Sequence, residues 1–190
     1  GDIQRTLADL EASNVLARIW AKDHTVWKST PTEITNRLAW LNISEEMLEN
    51  VQSLESYSLE IRKAGYRHIV LLGMGGSSLT SEVIRLTFQT NDEYPQLIVL
   101  DTTVPESIQR TKNIINPKTT LFIVSSKSGT TLETISNYHY WRQVVENDMG
   151  KDKAGQNFVA ITDEGSPLEQ LGNQHGFSRI FLNNVEIGGR

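Results

Sequence analysis

The chain has 190 residues, of which 38% are hydrophobic, so it can bury one substantial core and has the size of a single domain with a small extension. Its formal net charge of −5, from 18 basic and 23 acidic residues, argues against nucleic acid as a partner, which would require clustered Lys and Arg. Without cysteine the chain has no disulfide or thiolate ligand, and without a long apolar run or a signal-peptide segment we expect a cytoplasmic protein with no membrane partner.

The first 64 residues carry helical patterns. Apolar residues recur at helical spacing over residues 3–20, which predicts an amphipathic helix. Residues 30–33 fit a capping box with proline at the first helical position, and this predicts a second, short helix. A third helix is expected to begin at Ser44 and to stop at Gly65, which suits a left-handed helix end. We therefore expect residues 1–64 to form a helical extension that packs on the core.

From Gly65 onward, short apolar runs alternate with helical stretches. The runs are continuous rather than alternating in polarity, which is typical of parallel strands covered by helices on both faces. Capping boxes at residues 103–106 and 166–169 mark the starts of two intervening helices. Strands are predicted at residues 68–72, 97–100, 121–124, 158–161 and 180–182. Residues 65–190 should form an α/β domain, a three-layer αβα sandwich around a five-stranded parallel sheet.

Two hydroxyl-rich loops follow the first and third predicted strands, and each precedes a helical stretch. They are Gly73-Met74-Gly75-Gly76-Ser77-Ser78 and Ser125-Ser126-Lys127-Ser128-Gly129-Thr130-Thr131. A strand end, a tight turn and a helix N-terminus together form an anion site, because unpaired amides and the positive end of the helix dipole face outward. Both loops are predicted to bind phosphate. The structural alternative is that Ser77 and Ser78 only cap the following helix.

The order of the strands decides whether the two loops share a ligand. The first loop and Asp101 imitate a nicotinamide-dinucleotide fingerprint, although Ser78 stands where the third glycine is expected. In a Rossmann order the loop after the third strand lies far from the ligand crevice, so the second loop would have no role. In the flavodoxin-like order 2-1-3-4-5 the two loops flank one crevice. We therefore predict that order, with one ligand for both loops.

The composition of the second loop limits the ligand further. Lys127-Ser128 is similar to the end of a Walker A motif, but Leu121 occupies the place of its first glycine, which argues against a nucleotide loop. No carboxylate cluster lies nearby for magnesium, and the four histidines are not at metal-ligand spacing, so we expect no cofactor and no metal. The ligand that remains is a phosphomonoester held by hydroxyls and amides, with one lysine nearby.

The two loops resemble the phosphosugar loops of the glucose-6-phosphate isomerase family, which has the sugar isomerase (SIS) fold. The resemblance rests on residues 73–79 and 126–134, and Ile187-Gly188-Gly189-Arg190 is similar to a third motif of that family. Residues 18–28 and 31–34 are similar to the branch in which the isomerase is fused behind a transaldolase. Because the chain begins without Met and stops at the third motif, we expect a fragment of a longer enzyme.

The resemblance implies one set of phosphate-binding residues, two in the first loop and six in the second. They are Gly76, Ser77, Ser126, Lys127, Ser128, Gly129, Thr130 and Thr131. Ser126, Ser128 and Thr131 would hydrogen-bond the phosphate, and the loop amides around Lys127 would assist. Arg190 matches the arginine that stabilises a cis-enediolate in that family, an electrostatic role suited to a fixed guanidinium.

The resemblance also implies a reaction, the interconversion of glucose 6-phosphate and fructose 6-phosphate by proton transfer between C1 and C2. In that family the glutamate base and a second SIS half lie downstream, so we expect the chain alone to be inactive. The implied partners are the sugar phosphate, the C-terminal SIS half of the same polypeptide and a second copy in a homodimer. Two alternatives stay open: an NAD-binding dehydrogenase domain, and a non-catalytic SIS sensor that regulates a partner protein.

Overall fold

The computed structural model describes residues 1–88, 91–183 and 186–188. Contacts divide these residues into two units, residues 1–51 with 186–188 and residues 52–183. The helix Val51–Lys63, expected from the sequence to belong to the N-terminal extension, contributes nearly all of its residues to the second unit. None of the helices in the described ranges is long and apolar enough to cross a membrane.

The first unit contains α1 (Asp2–Ala12), α2 (Val15–Trp20) and α3 (Ile43–Leu48). The continuous helix predicted over residues 3–20 is wrong, because Asn14 takes a left-handed conformation (φ 49°) that separates α1 from α2. The capping box at residues 30–33 starts no α-helix. Glu33, which would lie in the first helical turn, has a φ of 59°, and only short 3₁₀ turns follow, at Thr35–Arg37 and Ala39–Leu41.

The third predicted helix is also divided, because α3 ends at Leu48 and α4 (Val51–Lys63) begins after a break. At the break the Asn50 side-chain amide donates to the Glu46 carbonyl over 3.4 Å. Asn side chains compete in this way with the regular helical hydrogen bonds, and the apolar periodicity alone does not reveal it. The predicted end of the helical region is confirmed, since Gly65 has a φ of 78°.

Residues near the end of the chain complete the first unit. Leu38 forms an antiparallel bridge with Ile187, and the Ala39 N–H donates to the Glu186 carbonyl over 3.3 Å. Leu38 and Ala39 are buried, whereas α1 buries none of its residues. Its apolar stripe, predicted to pack, is therefore uncovered in the chain alone, with Ile3 79% exposed.

The second unit is built on five strands, each of which coincides with a predicted apolar run. They are β1 (His68–Gly73), β2 (Gln96–Leu100), β3 (Thr120–Ser125), β4 (Phe158–Asp163) and β5 (Arg179–Asn183). Their order is β2-β1-β3-β4-β5 with every pair parallel, which confirms the predicted flavodoxin-like sheet. Because β1 lies next to β3, the Rossmann order is excluded, and the dehydrogenase alternative loses its structural basis.

Helices cover both faces of this sheet, as predicted for a three-layer sandwich. The helices between the strands are α5 (Leu79–Thr87), α6 (Pro105–Ile114), α7 (Leu132–Met149), α8 (Lys151–Ala154) and α9 (Pro167–Gln174). On one face Phe122 packs against Trp141 of α7, and both are fully buried. On the other face Leu121 packs with Ile61 of α4. Neighbouring strand residues thus serve opposite layers, which explains the continuous apolar runs.

Helix α9 begins with the capping box predicted at residues 166–169. The Ser166 hydroxyl accepts from the Glu169 N–H over 3.1 Å, and the Glu169 carboxylate accepts from the N–H of Gly165. Ser166 Oγ also shares a 2.7 Å hydrogen bond with Thr162 Oγ1 in β4. The box predicted at residues 103–106 does not form, because Val104 is the N-cap residue of α6 and has no side-chain oxygen to accept the hydrogen bond.

A polar pair joins α7 to the end of α9. The Tyr138 hydroxyl lies 2.5 Å from Nδ1 of His175, and the Arg142 guanidinium donates to the His175 carbonyl over 3.1 Å. Burial raises the pKa of Tyr138 to about 12. Burial, together with the positive charge of Arg142, lowers the pKa of His175 below its usual 6.5. The folded state therefore favours the neutral forms of both side chains near neutral pH.

Replacing Ser166 with alanine should lower the free energy of unfolding by about 1–2 kcal/mol, because the helix cap and the hydrogen bond to Thr162 are both lost. Urea unfolding followed by circular dichroism measures the change. Ser136→Ala, at an exposed position of α7, is the matched control. Equal losses in the two variants would contradict the structural role of Ser166.

The free energy of unfolding should fall as the pH drops below about 6.5. His175 binds a proton less readily in the folded chain than in the unfolded chain, because its folded pKa is lowered. Its contribution is fully present above the unfolded pKa and is lost as the pH falls toward the folded pKa. Urea unfolding across this window should show a weaker pH dependence for His175→Gln than for His139→Gln. Parallel curves for the two variants would contradict this assignment.

Candidate functional site

The two hydroxyl-rich loops leave the sheet at adjacent positions. Gly73, the last residue of β1, is paired in parallel register with Ser125, the last residue of β3. Neighbouring strands lie about 4.8 Å apart, so the loops begin side by side at the carboxyl edge of the sheet. The order β2-β1-β3 makes this edge the switch point of the fold, where open α/β sheets bind their ligands.

The first loop makes a tight turn directly after β1. Gly75 has a φ of 54° and begins a 3₁₀ turn, Gly75–Ser77, in which the Ser77 N–H donates to the Met74 carbonyl over 3.1 Å. A Cβ on Gly73 would lie 2.9 Å from the Ser77 carbonyl oxygen, so a larger residue there would displace the turn. Gly76 is exposed and Ser77 is partly exposed, so a ligand can reach both.

The serines of this loop do not cap α5. Ser78 is the N-cap residue, but its hydroxyl donates to the Gly75 carbonyl over 3.1 Å and makes no cap hydrogen bond. The alternative in which Ser77 and Ser78 serve only as helix caps is therefore wrong. The first-turn N–H groups of α5 keep the positive end of its dipole without a capping side chain, which is the arrangement that binds anions at helix N-termini.

The second loop brings four hydroxyls together in two pairs. Ser126 Oγ lies 3.0 Å from Thr131 Oγ1, and Ser128 Oγ lies 2.9 Å from Thr130 Oγ1. Each hydroxyl has one hydrogen to donate, so each pair uses one and leaves one for another acceptor. Ser126 is buried, whereas Ser128 and Thr130 are exposed. The loop therefore offers hydroxyl donors both at its base and at its rim.

Thr131 ends this loop as the N-cap residue of α7. Its side chain makes no hydrogen bond to the helix, and its hydroxyl is instead paired with Ser126. The 18 residues of α7 thus direct the positive end of the helix dipole at the loop, with no capping side chain in the described part of the chain. Both loops combine a strand end, a tight turn and an uncapped helix N-terminus, as the sequence analysis predicted.

Gly129 fits the second loop against α9. It has a φ of 69°, and its N–H donates to the Ser126 carbonyl over 3.2 Å. A Cβ at this position would lie 2.7 Å from the backbone nitrogen of Leu168 and 3.1 Å from the Cβ of Ser166. Only glycine accepts both the left-handed backbone and this close approach, so the start of α9 contributes to the shape of the loop.

Lys127 is held by residues at the end of β4. Its Nζ donates to Asp163 Oδ2 over 2.6 Å, and the two side chains are 29% and 15% exposed. Its carbonyl accepts from the Asp163 N–H over 3.1 Å and from Thr162 Oγ1 over 3.3 Å. The sequence analysis missed Asp163. The signal that could have found it is its place just after an apolar run, at the same edge of a parallel sheet as the loop.

The predicted catalytic residue, Arg190, lies outside the described residues, as does the neighbouring Gly189. Of the third motif the structure describes Ile187 and Gly188, which belong to the first unit. Across residues 1–88, 91–183 and 186–188, no group of three or more His, Asp or Glu side chains could hold a metal ion. The described part of the site therefore consists of the two loops and the β4 residues that hold Lys127.

Several solved structures share this fold. The crystal structure of hypothetical protein TT0462 from Thermus thermophilus superposes with a TM-score of 0.75 at 24% identity, over 98% of this chain and 42% of that one. A glucose-6-phosphate isomerase from Chlamydia trachomatis superposes with a TM-score of 0.63 at 26% identity, over 92% of this chain and 31% of that one. At 24% identity, the similarity to the Thermus thermophilus protein supports only a shared fold.

The relatives found by sequence comparison are glucose-6-phosphate isomerases, like the structure from Chlamydia trachomatis. A glucose-6-phosphate isomerase of Campylobacter jejuni is 32% identical over 151 residues, which are 79% of this chain and 34% of that protein. One from Bartonella quintana is 27% identical over 168 residues, 84% of this chain and 30% of that protein. The chain thus spans about a third of the length of these curated relatives. Because a profile of the phosphoglucose isomerase family also matches residues 16–190, the chain belongs to that family.

Proposed function

We propose that this chain is the phosphosugar-binding part of a glucose-6-phosphate isomerase. The observation that carries the proposal is the register pair Gly73 and Ser125, from which two loops rich in glycine and hydroxyl groups begin side by side. Family membership supports the substrate class, because the curated relatives are glucose-6-phosphate isomerases. The substrates would be glucose 6-phosphate and fructose 6-phosphate, and this chain binds their common phosphate end.

In this proposal the phosphate lies between Ser77 and the loop at residues 126–131. The spare hydroxyl hydrogens of the two hydroxyl pairs donate to its oxygens, and N–H groups in the first turns of α5 and α7 add further donors. Two helix dipoles then stabilise the same anion. Such donors would let a chain whose net charge is −5 bind an anion without clustered Lys and Arg.

Holding the phosphate leaves the proton transfer to other residues. The reaction proposed is removal of a proton from the carbon next to the carbonyl and its return to the neighbouring carbon, through a cis-enediolate. Arg190 would stabilise the charge that develops on the enediolate oxygens. The glutamate base and a second SIS half belong to the parent polypeptide that we propose, and that polypeptide would form a homodimer. The stretches at residues 18–28 and 31–34, similar to the branch fused behind a transaldolase, support a fusion in that parent.

Substituting both Ser128 and Thr131 with alanine should weaken binding of 6-phosphogluconate by about 2–4 kcal/mol, because two charge-assisted hydrogen bonds to the phosphate are lost. Isothermal titration calorimetry measures the affinity. The matched control is Ser53→Ala combined with Thr87→Ala, since both residues are exposed on helices outside the loops. Unchanged affinity in the Ser128 and Thr131 double variant would contradict the loop assignment.

The purified 190-residue chain should bind 6-phosphogluconate without isomerising fructose 6-phosphate, because the proposed base lies in the rest of the parent enzyme. A coupled assay with glucose-6-phosphate dehydrogenase measures turnover, with a full-length glucose-6-phosphate isomerase as the positive control. Turnover by the chain itself, above the rate without protein, would show that all the groups needed for proton transfer lie within it.

A further inference from the structure

The ion pair of Lys127 and Asp163 lies on one particular side of the second loop. The loop follows β3, which has β1 on one side and β4 on the other. The crevice with the first loop lies on the β1 side, whereas Asp163 is the last residue of β4. The 2.6 Å contact between Lys127 Nζ and Asp163 Oδ2 therefore holds the ammonium group on the β4 side of the loop.

The backbone of Lys127 is held from the same side. Its carbonyl accepts hydrogen bonds from Asp163 and Thr162, and Thr162 is bonded in turn to Ser166, the cap of α9. Three residues on β4 and at the start of α9, Thr162, Asp163 and Ser166, thus contribute to the position of Lys127. These hydrogen bonds fix the backbone of Lys127 beside β4, and the ion pair with Asp163 holds its side chain on the same side of the loop.

Only one of the two carboxylate oxygens of Asp163, Oδ2, contacts Lys127. Its Oδ1 is buried and has no hydrogen-bond partner in the described part of the chain. Leaving a buried carboxylate oxygen without a donor is costly, so the interaction with Lys127 is what offsets the burial of this group. The ion pair with Lys127 is therefore the main interaction of the Asp163 carboxylate.

We propose that Asp163 is a positioning residue of the phosphate site, which keeps the charge of Lys127 on the β4 side so that neutral hydroxyl and amide donors bind the phosphate. This inference rests on the proposed function. Glucose 6-phosphate and fructose 6-phosphate carry the same phosphate, so extra affinity for it strengthens substrate and product binding equally. Such uniform binding does not accelerate the chemical step. A neutralised lysine limits that affinity while the helix dipoles still orient the sugar.

The test is Asp163→Asn, which keeps the size of the side chain and an oxygen that accepts from Lys127 but removes the negative charge. Calorimetry with inorganic phosphate and with 6-phosphogluconate should give a Kd about three- to tenfold lower than in the unchanged chain. The Kd of the variant should also rise more steeply with salt, because a cation now contributes to binding. Asp148→Asn removes the same charge from an exposed position at the far end of α7 and is the matched control.

A second measurement distinguishes an effect of the Lys127 charge on the phosphate from a structural effect of the Asp163 substitution. The ³¹P chemical shift of bound phosphate, followed against pH, should show a lower second pKa of the phosphate in Asp163→Asn, because the Lys127 ammonium, no longer neutralised by a carboxylate, favours the dianion. Adding Lys127→Met to Asp163→Asn should abolish both the gain in affinity and the shift in the phosphate pKa. A merely structural role of Asp163 would weaken binding in Asp163→Asn and leave the phosphate pKa unchanged.

The outcomes distinguish this inference from the function on which it rests. If the unchanged chain binds neither inorganic phosphate nor 6-phosphogluconate, the proposed function is overturned and the inference with it. If the unchanged chain binds them, but Asp163→Asn binds equally well or more weakly, only the inference is overturned. A gain that persists in the double variant would also overturn it, since the gain would not come from Lys127.

Discussion

The parallel pairing of β1 with β3 is the constraint on which the rest of the site depends. Parallel strands present their carboxyl ends at one edge, and the register that pairs Gly73 with Ser125 brings the two loops out at the same level. A slip of one residue would turn every side chain of the strand to the opposite layer, so the buried faces around Leu121 and Phe122 hold this register in place. The packing of the core therefore determines the geometry of the anion site.

Much of this architecture follows from the sequence because it rests on local patterns with a physical cause. Continuous apolar runs are required of strands buried on both faces, and the five runs match the five strands. The strand order could be predicted because only one common order lets both loops serve one ligand. The tight turns after β1 and β3 were predicted from the loop composition, and in the structure Gly75 and Gly129 take positive φ values in them.

The features that escaped prediction depend on backbone conformations or contacts that periodicity does not encode. Asn14 and Glu33 adopt left-handed conformations inside segments with helical patterns, and each prevents the expected helix. Asp163 lies far from Lys127 in sequence, and only the pairing of β3 with β4 brings the two together. The apolar stripe of α1 is exposed although its amphipathic pattern predicts a buried face. Such a pattern does not identify the surface against which the face packs.

Because Gly129 packs against the start of α9, the second loop could not be grafted alone onto another protein. The backbone nitrogen of Leu168 occupies the space that a side chain at position 129 would need, so the second loop takes its shape partly from a helix that begins much later in the chain. Grafting residues 125–131 onto another parallel sheet would transfer the hydroxyls without the surface that shapes them. A usable graft would have to carry the end of β4 and the first turn of α9 as well.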